Sequence, residues 1–71
     1  MPVINVLLWE GRTIEQKREL AKKLTEDMVA IAKVPEKSVV ITFSDFAKSD
    51  WAEAGMLASD KIQIQMNEEN K

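Results

Sequence analysis

The sequence predicts an α+β fold, a β-α-β unit with two parallel strands, one long helix and a short C-terminal strand or hairpin. Three observations predict it. Val3–Trp9 is apolar and β-branched almost throughout, as in a strand. From Ile14 to about Lys33, apolar residues recur every three or four positions, as on one face of a helix. The third is Val39–Phe43, which is again β-branched. A strand, a long helix and a strand in this order form a right-handed crossover, whose two strands are parallel.

The helix has a start signal and a stop signal. Thr13 followed by Gln16 fits a capping box, in which two side chains satisfy backbone N–H groups of the first turn. The apolar stripe that should face the sheet consists of Leu20, Leu24, Met28 and Ile31, with Ala21, Val29 and Ala32 beside them. Pro35 requires the helix to end at or before Val34.

The C-terminal third has weaker signals. The stretch from Phe46 to Asp60 has no sustained period and is predicted to be a loop with at most a helical turn. Lys61–Gln65 alternates apolar and polar residues, which predicts a short half-exposed strand. Residues 66–71 are expected to be a frayed tail of the single domain that spans residues 1–71.

The size of the chain favours an oligomer. With 71 residues, 8.1 kDa and 45% hydrophobic residues, the chain is globular in composition but has room for only one small core. One helix covers one face of a two-stranded sheet, so another subunit must cover the opposite face. We also expect the apolar residues of the C-terminal segment to pack across a subunit boundary: Phe46, Trp51, Met56, Leu57, Ile62 and Ile64.

Composition excludes several kinds of function. The chain contains no His, Cys or Tyr, which removes Ser-His-Asp and Cys-His nucleophiles, Cys/His zinc sites and disulfides, and no metal site is expected. The net charge of −2 without a basic run argues against nucleic acid as a partner. No apolar stretch is long enough to span a bilayer, so we expect a soluble cytoplasmic protein without a membrane partner.

Pro2 is the first candidate catalytic residue. If Met1 is removed, the chain begins with a prolyl amine directly before the first strand, and the sheet would hold this nitrogen in place. The pKa of an α-amino group is ordinarily about 8, and burial or a nearby cation lowers it, so such an amine can act as a general acid and base without histidine. A Met-Pro start without function is the alternative.

Three other residues are candidates for binding a substrate or taking part in the chemistry. Arg12 lies in the turn after the first strand, where it is either a surface charge beside Glu10 or a bidentate clamp for a carboxylate. Trp51 is either an aromatic residue at a subunit contact or a pocket wall that excludes water, and it can be both. Glu53 is a solvated carboxylate unless the site activates water.

Together these residues resemble the 4-oxalocrotonate tautomerase family over roughly residues 2–60. The resemblance rests on Pro2 directly after Met1, a strand that ends in Leu8–Thr13, Glu15–Lys17 at the helix start, a second strand after Pro35, and the stretch from Ala47 to Trp51. It implies an isomerase that needs no cofactor and that is a homo-oligomer, a hexamer built as a trimer of dimers with sites at subunit boundaries. It further implies enol–keto tautomerisation of a 2-hydroxydienoate or a related 2-oxo acid, with Pro2 as general acid and base, Arg12 on a substrate carboxylate and Trp51 as the wall.

One residue departs from the family pattern. Val40 stands where the family members that use dicarboxylates have a second arginine, so we expect weaker activity on dicarboxylates or a smaller or monocarboxylate substrate. Lys37 and Lys48 are possible substitutes, and the sequence assigns neither to the pocket. A hetero-oligomer in which this chain is a low-activity subunit is one alternative. The other is a 3-haloacrylate dehalogenase or hydratase, since Glu53 matches the water-activating carboxylate of a relative, although that enzyme has an arginine where this chain has Trp9.

Overall fold

The computed structural model describes residues 1–61 of the chain. Its elements follow one another as strand β1 (Val3–Trp9), helix α1 (Ile14–Ala32), a 3₁₀ turn (Glu36–Ser38), strand β2 (Val40–Phe46), a second 3₁₀ turn (Lys48–Asp50) and the short strands β3 (Ala52–Glu53) and β4 (Met56–Leu57). Residues 58–61 are helical. Within residues 1–61, no helix combines the length and the apolar character that crossing a bilayer requires.

Strands β1 and β2 form the predicted parallel sheet, in a register that runs from Val3 opposite Val40 to Trp9 opposite Phe46. The α+β fold predicted from the sequence is therefore confirmed. Strand β2 begins one residue later and ends three residues later than the predicted Val39–Phe43. Its last residues pair with Leu8 and Trp9 of β1, and Asp45 also forms an ion pair with Lys17 of α1, with 2.5 Å between Oδ2 and Nζ.

Helix α1 begins as predicted and lies on one face of this sheet. Thr13 Oγ1 accepts a hydrogen bond from Gln16 N at 3.1 Å, and Gln16 Oε1 accepts one from Thr13 N at 2.8 Å, which completes the capping box. The helix ends at Ala32, and Lys33 takes a left-handed conformation with φ 58°. Ile31 is 80% exposed, contrary to its predicted place in the stripe. The 19-residue helix rises about 28 Å against about 23 Å for a strand, so its last turn extends past the sheet.

The other face of the sheet is not covered by any element of residues 1–61. Side chains of β1 alternate strictly, with Ile4, Val6 and Leu8 half-buried on the helix side. On the outer side Val3 is 58% and Leu7 53% exposed. Among residues 1–61 only Ala58 falls below a tenth of its possible exposure. Residues 1–61 therefore form no closed core by themselves, which is the condition under which association with another chain adds stability.

The segment after β2 has more structure than the sequence predicted. Strands β3 and β4 form an antiparallel hairpin, whose two-residue turn consists of Ala54 at φ 52° and Gly55 at φ 80°. Two-residue strands are too short to show an alternating pattern, so the prediction of a loop was wrong here. Lys61 is helical, so the predicted strand Lys61–Gln65 is wrong at its first residue. The rest of that strand and the tail at 66–71 lie outside the described residues.

Candidate active site

Arg12 is held in a turn between the end of β1 and the start of α1. Glu10 N donates a hydrogen bond to Phe46 O at 2.8 Å, which extends the sheet by one residue beyond Trp9. Gly11 then adopts φ 117°, a conformation that residues with a side chain rarely take, and Thr13 caps the helix. Sheet and cap together fix the backbone on both sides of Arg12.

Arg12 lines a cleft at this end of the sheet. The cleft has a volume of about 290 Å³ and is lined by Leu7, Leu8, Trp9, Arg12 and Trp51. Within residues 1–61 no carboxylate comes within 4.0 Å of the Arg12 guanidinium, so Glu10 does not pair with it. One guanidinium in an otherwise apolar cleft is suited to binding an anionic group of a small molecule.

Aromatic side chains form one side of the cleft. The ring of Trp51 meets the ring of Trp9 edge to face, with centroids 6.3 Å apart and planes at 85°. Phe46 contacts Trp51 at 5.7 Å and 67°. Such contacts hold large rings in place and exclude water from the space beside them. Sequence reasoning treated Trp9 as the last residue of a strand and missed it as a lining residue, although its outward position next to the Arg12 turn was a usable signal.

Glu53 contacts Trp51 and is not among the residues that line the cleft. Its Oε1 accepts a hydrogen bond from Trp51 Nε1 at 3.2 Å, and its Oε2 lies 4.0 Å from Lys61 Nζ. The hydrogen bond favours one orientation of the Trp51 ring, and Lys61 is the cation nearest the carboxylate among its ion-pair partners in residues 1–61. These contacts favour a role for Glu53 in orienting the Trp51 side chain.

The two lysines considered as substitutes for the second arginine lie at opposite ends of the sheet. Lys48 Nζ is 5.4 Å from the ring centroid of Trp9, at the end that holds Arg12. Lys37 belongs to the Glu36–Ser38 turn before β2, at the other end. Of the two, only Lys48 contacts a residue that lines the cleft with Arg12.

Pro2 is far from Arg12 in a single chain. Its carbonyl oxygen accepts a hydrogen bond from Val40 N at 3.0 Å, at the start of both strands, and the residue is half-buried. The seven residues of β1 separate Pro2 from the Arg12 turn and rise about 23 Å. One chain therefore brings Arg12 and Trp51 together and does not bring Pro2 to them.

Comparisons with known proteins bear on this arrangement. The family model described as tautomerase enzyme matches residues 2–61. The 2-hydroxymuconate tautomerase of Bacillus subtilis (strain 168) is 38% identical over 60 residues, which make up 84% of this chain and 97% of that protein. Among solved structures, a 4-oxalocrotonate tautomerase isozyme from Methylibium petroleiphilum is similar with a TM-score of 0.85 and 32% identity, over 89% of this chain and 98% of the other. A heterohexamer 4-oxalocrotonate tautomerase from Chloroflexus aurantiacus is similar with a TM-score of 0.79 and 28% identity, over 84% and 97%.

Proposed function

We propose that this chain, which belongs to the tautomerase family and is an isomerase, catalyses the enol–keto tautomerisation of a 2-hydroxydienoate or a related 2-oxo acid. The observation that carries the proposal is the Arg12 guanidinium in an apolar cleft beside Trp51, without a carboxylate partner among residues 1–61. An arginine in this setting binds the carboxylate that such substrates contain.

The proton is moved by the amine of Pro2 once Met1 has been removed. The neutral amine takes the proton of the 2-hydroxyl group, and the electron pair left on oxygen forms the new carbonyl as the double bonds shift along the chain. The protonated amine then returns this proton to a carbon atom of the substrate. No atom is gained or lost overall, and the reaction requires neither a metal ion nor an organic cofactor.

The site is formed between chains. Pro2 and Arg12 lie at opposite ends of a strand that rises about 23 Å, which is longer than a six-carbon acid, so they reach one substrate only if they belong to different chains. The outer face of β1, on which Val3 and Leu7 are more than half exposed, supports association through this sheet. We assign a homohexamer, a trimer of dimers, and the heterohexameric relative makes a mixed assembly the second candidate.

Val40 shapes the substrate preference. At the Pro2 end of the sheet it supplies an aliphatic side chain, 36% exposed, where dicarboxylate-using family members carry the second arginine. An aliphatic group neither binds a second carboxylate nor stabilises negative charge on an enolate oxygen. The expected substrates are therefore monocarboxylates, with slower turnover of a dicarboxylate such as 2-hydroxymuconate.

Replacing the proposed base tests this function. Pro2→Ala should lower kcat/KM for 2-hydroxymuconate by about tenfold or more, because a positioned general base contributes about 100-fold or more and a primary amine retains part of that. Pro35→Ala is the matched control, since it changes the chain's other proline, which lies in the loop after α1, and should leave turnover unchanged. Equal turnover by Pro2→Ala and the wild type would refute the role of the amine.

The state of the amino terminus is checked separately by intact-protein mass. A retained Met1 would place the Pro2 nitrogen in a peptide bond and remove its basicity. Covalent labelling of the wild type with a reagent selective for the terminal secondary amine should abolish turnover, whereas the same treatment of Pro2→Ala should leave its residual turnover unchanged. Turnover by a protein that retains Met1 would contradict the mechanism.

A further inference from the structure

We propose that Lys48 is a second cation of the carboxylate-binding end of this site and that it acts beside Arg12 on the same carboxylate. The proposal rests on the proposed function for the identity of its substrate, and it names the residue that makes this end of the cleft selective for an anion. Compared with the family members that use dicarboxylates, this chain has Val40 in place of an arginine at the Pro2 end. Lys48 supplies a positive charge at the Arg12 end.

The backbone places Lys48 next to Trp9, a residue that lines the cleft. Lys48 opens the 3₁₀ turn that follows β2 directly, and Asp50 N closes this turn with a hydrogen bond to Ala47 O at 2.9 Å. From there the side chain reaches over Trp9, with Nζ 5.4 Å from the ring centroid. Trp9 lines the cleft together with Arg12, so both cations are attached to one small region of the surface.

The charge balance of this region favours an anionic ligand. Glu53, the carboxylate next to the aromatic wall, is engaged by Trp51 Nε1 at 3.2 Å and by Lys61 Nζ at 4.0 Å. Within residues 1–61, neither Arg12 nor Lys48 has a carboxylate within 4.0 Å. Glu10 and Asp50 belong to the same turns as Arg12 and Lys48, but neither forms an ion pair with these two cations in the described part of the chain.

The contact with Trp9 keeps Lys48 available to a ligand. An ammonium over an exposed ring is held weakly, and Trp9 is 40% exposed. The flexible four-carbon stem of lysine lets the ammonium exchange the ring for a carboxylate oxygen. Arg12 presents a planar pair of donors to the same carboxylate, so the two side chains supply complementary contacts.

Binding of inert acids tests this assignment without requiring any proton transfer. Hexanoate and adipate, a saturated monocarboxylate and a saturated dicarboxylate, are titrated into the full chain while tryptophan fluorescence is recorded. The chain has two Trp and no Tyr, and Trp9 and Trp51 both line the cleft, so the emission reports on this region. We expect both acids to bind with similar affinity, because one carboxylate is held strongly and Val40 holds no second one.

Three variants separate charge from packing. Lys48→Met should raise Kd for both acids about tenfold or more, as expected for the loss of one charge-assisted contact, and should weaken the dependence of Kd on salt. Lys48→Arg keeps the charge and the contact with the ring and should remain within about threefold of the wild type. Lys23→Met, which removes an exposed lysine paired with Glu26 on α1, is the control and should bind like the wild type.

Several outcomes would overturn the proposal. Wild-type affinity in Lys48→Met, or no binding of either acid to the wild type, would remove Lys48 from the site. A loss that Lys48→Arg does not restore, or that is equally large at high salt, would reduce Lys48 to packing against Trp9. Acid binding that depends on Lys48 in a protein that does not turn over 2-hydroxydienoates would leave this assignment intact and contradict the proposed function instead.

Discussion

The backbone N–H of Val40 donates a hydrogen bond to the carbonyl oxygen of Pro2 at 3.0 Å, so an aliphatic residue stands at the sheet end that carries the proposed base. Val3 lies opposite Val40 in the parallel register, which makes this end apolar on the outer face of the sheet. Arg12 and Lys48 lie at the other end, whereas Lys37, in the turn before β2, lies at the Pro2 end. Substrate selectivity should therefore respond to a charge introduced at position 40.

Val40→Arg should raise kcat/KM for 2-hydroxymuconate about tenfold. A hydrogen bond to a charged group contributes about 1.5–3 kcal/mol, and Val40 is already 36% exposed in the single chain, so a longer side chain has a path outward. Steady-state kinetics on 2-hydroxymuconate and on 2-hydroxypenta-2,4-dienoate measure the effect, which should be larger for the dicarboxylate. Val40→Met, longer but uncharged, controls for size. An equal gain in Val40→Met would assign the effect to packing.

The sequence predicted the elements whose signals are local. The run of apolar residues in Val3–Trp9, the capping box of Thr13 and Gln16 and the stop before Pro35 each depend on neighbours in the chain, and each is found in the structure. The sequence predicted a short C-terminal strand or hairpin but not its position, because the two-residue strands β3 and β4 leave no periodic pattern and their turn uses Ala54, which is unusual at positive φ.

Only part of the candidate site could be predicted from the sequence, because the rest depends on contacts between distant segments. The sequence named Arg12 and Trp51 as candidates and Lys48 as one of two substitutes for the second arginine, whereas the contacts of Trp9 with Trp51 and Lys48 join segments about forty residues apart in the chain. The hydrogen bond from Trp51 to Glu53 likewise depends on a side-chain orientation that no spacing rule encodes. Pro2 differs again, because a single chain separates it from Arg12 and only an assembly can bring the two together.

The orientation of Trp51 by Glu53 gives a second prediction. Glu53→Gln retains an oxygen that accepts the hydrogen bond from Trp51 Nε1, so kcat/KM for a 2-hydroxydienoate should stay within about twofold of the wild type. Glu53→Ala removes the acceptor and should raise KM severalfold as the ring loses its fixed position. The same two variants are then assayed for halide release from both 3-chloroacrylate isomers. Halide release by the wild type that Glu53→Gln abolishes would contradict the orienting role and favour a water-activating carboxylate.

The exposed outer face of the sheet gives a third prediction. Leu7 is 53% exposed in the single chain, and Leu7→Asp places a charge on the surface that we expect a second chain to cover. The mass of the native assembly, measured by light scattering or native mass spectrometry, should fall. Leu7→Met preserves the apolar surface and approximate volume and should keep the wild-type mass. An unchanged mass in Leu7→Asp would show that this face lies outside the interface.

Mixing two impaired variants provides the last prediction, because it asks directly whether Pro2 and Arg12 act from different chains. Pro2→Ala lacks the base, and Arg12→Gln lacks the carboxylate clamp, so each homo-oligomer should turn over 2-hydroxydienoates poorly. If the two are unfolded and refolded together, random assembly places an intact Pro2 and an intact Arg12 at the same site in about a quarter of the sites, and this fraction of wild-type activity should return.

The distance along β1 makes this test decisive. Sites built within one chain would always lack one of the two residues, so refolding the variants together would restore nothing. Refolding each variant alone is the control for recovery, and the mass of the mixed product shows that chains have exchanged. If exchanged assemblies form and remain inactive, Pro2 and Arg12 do not share a site, and the cleft at Arg12 binds its anion away from the proposed base.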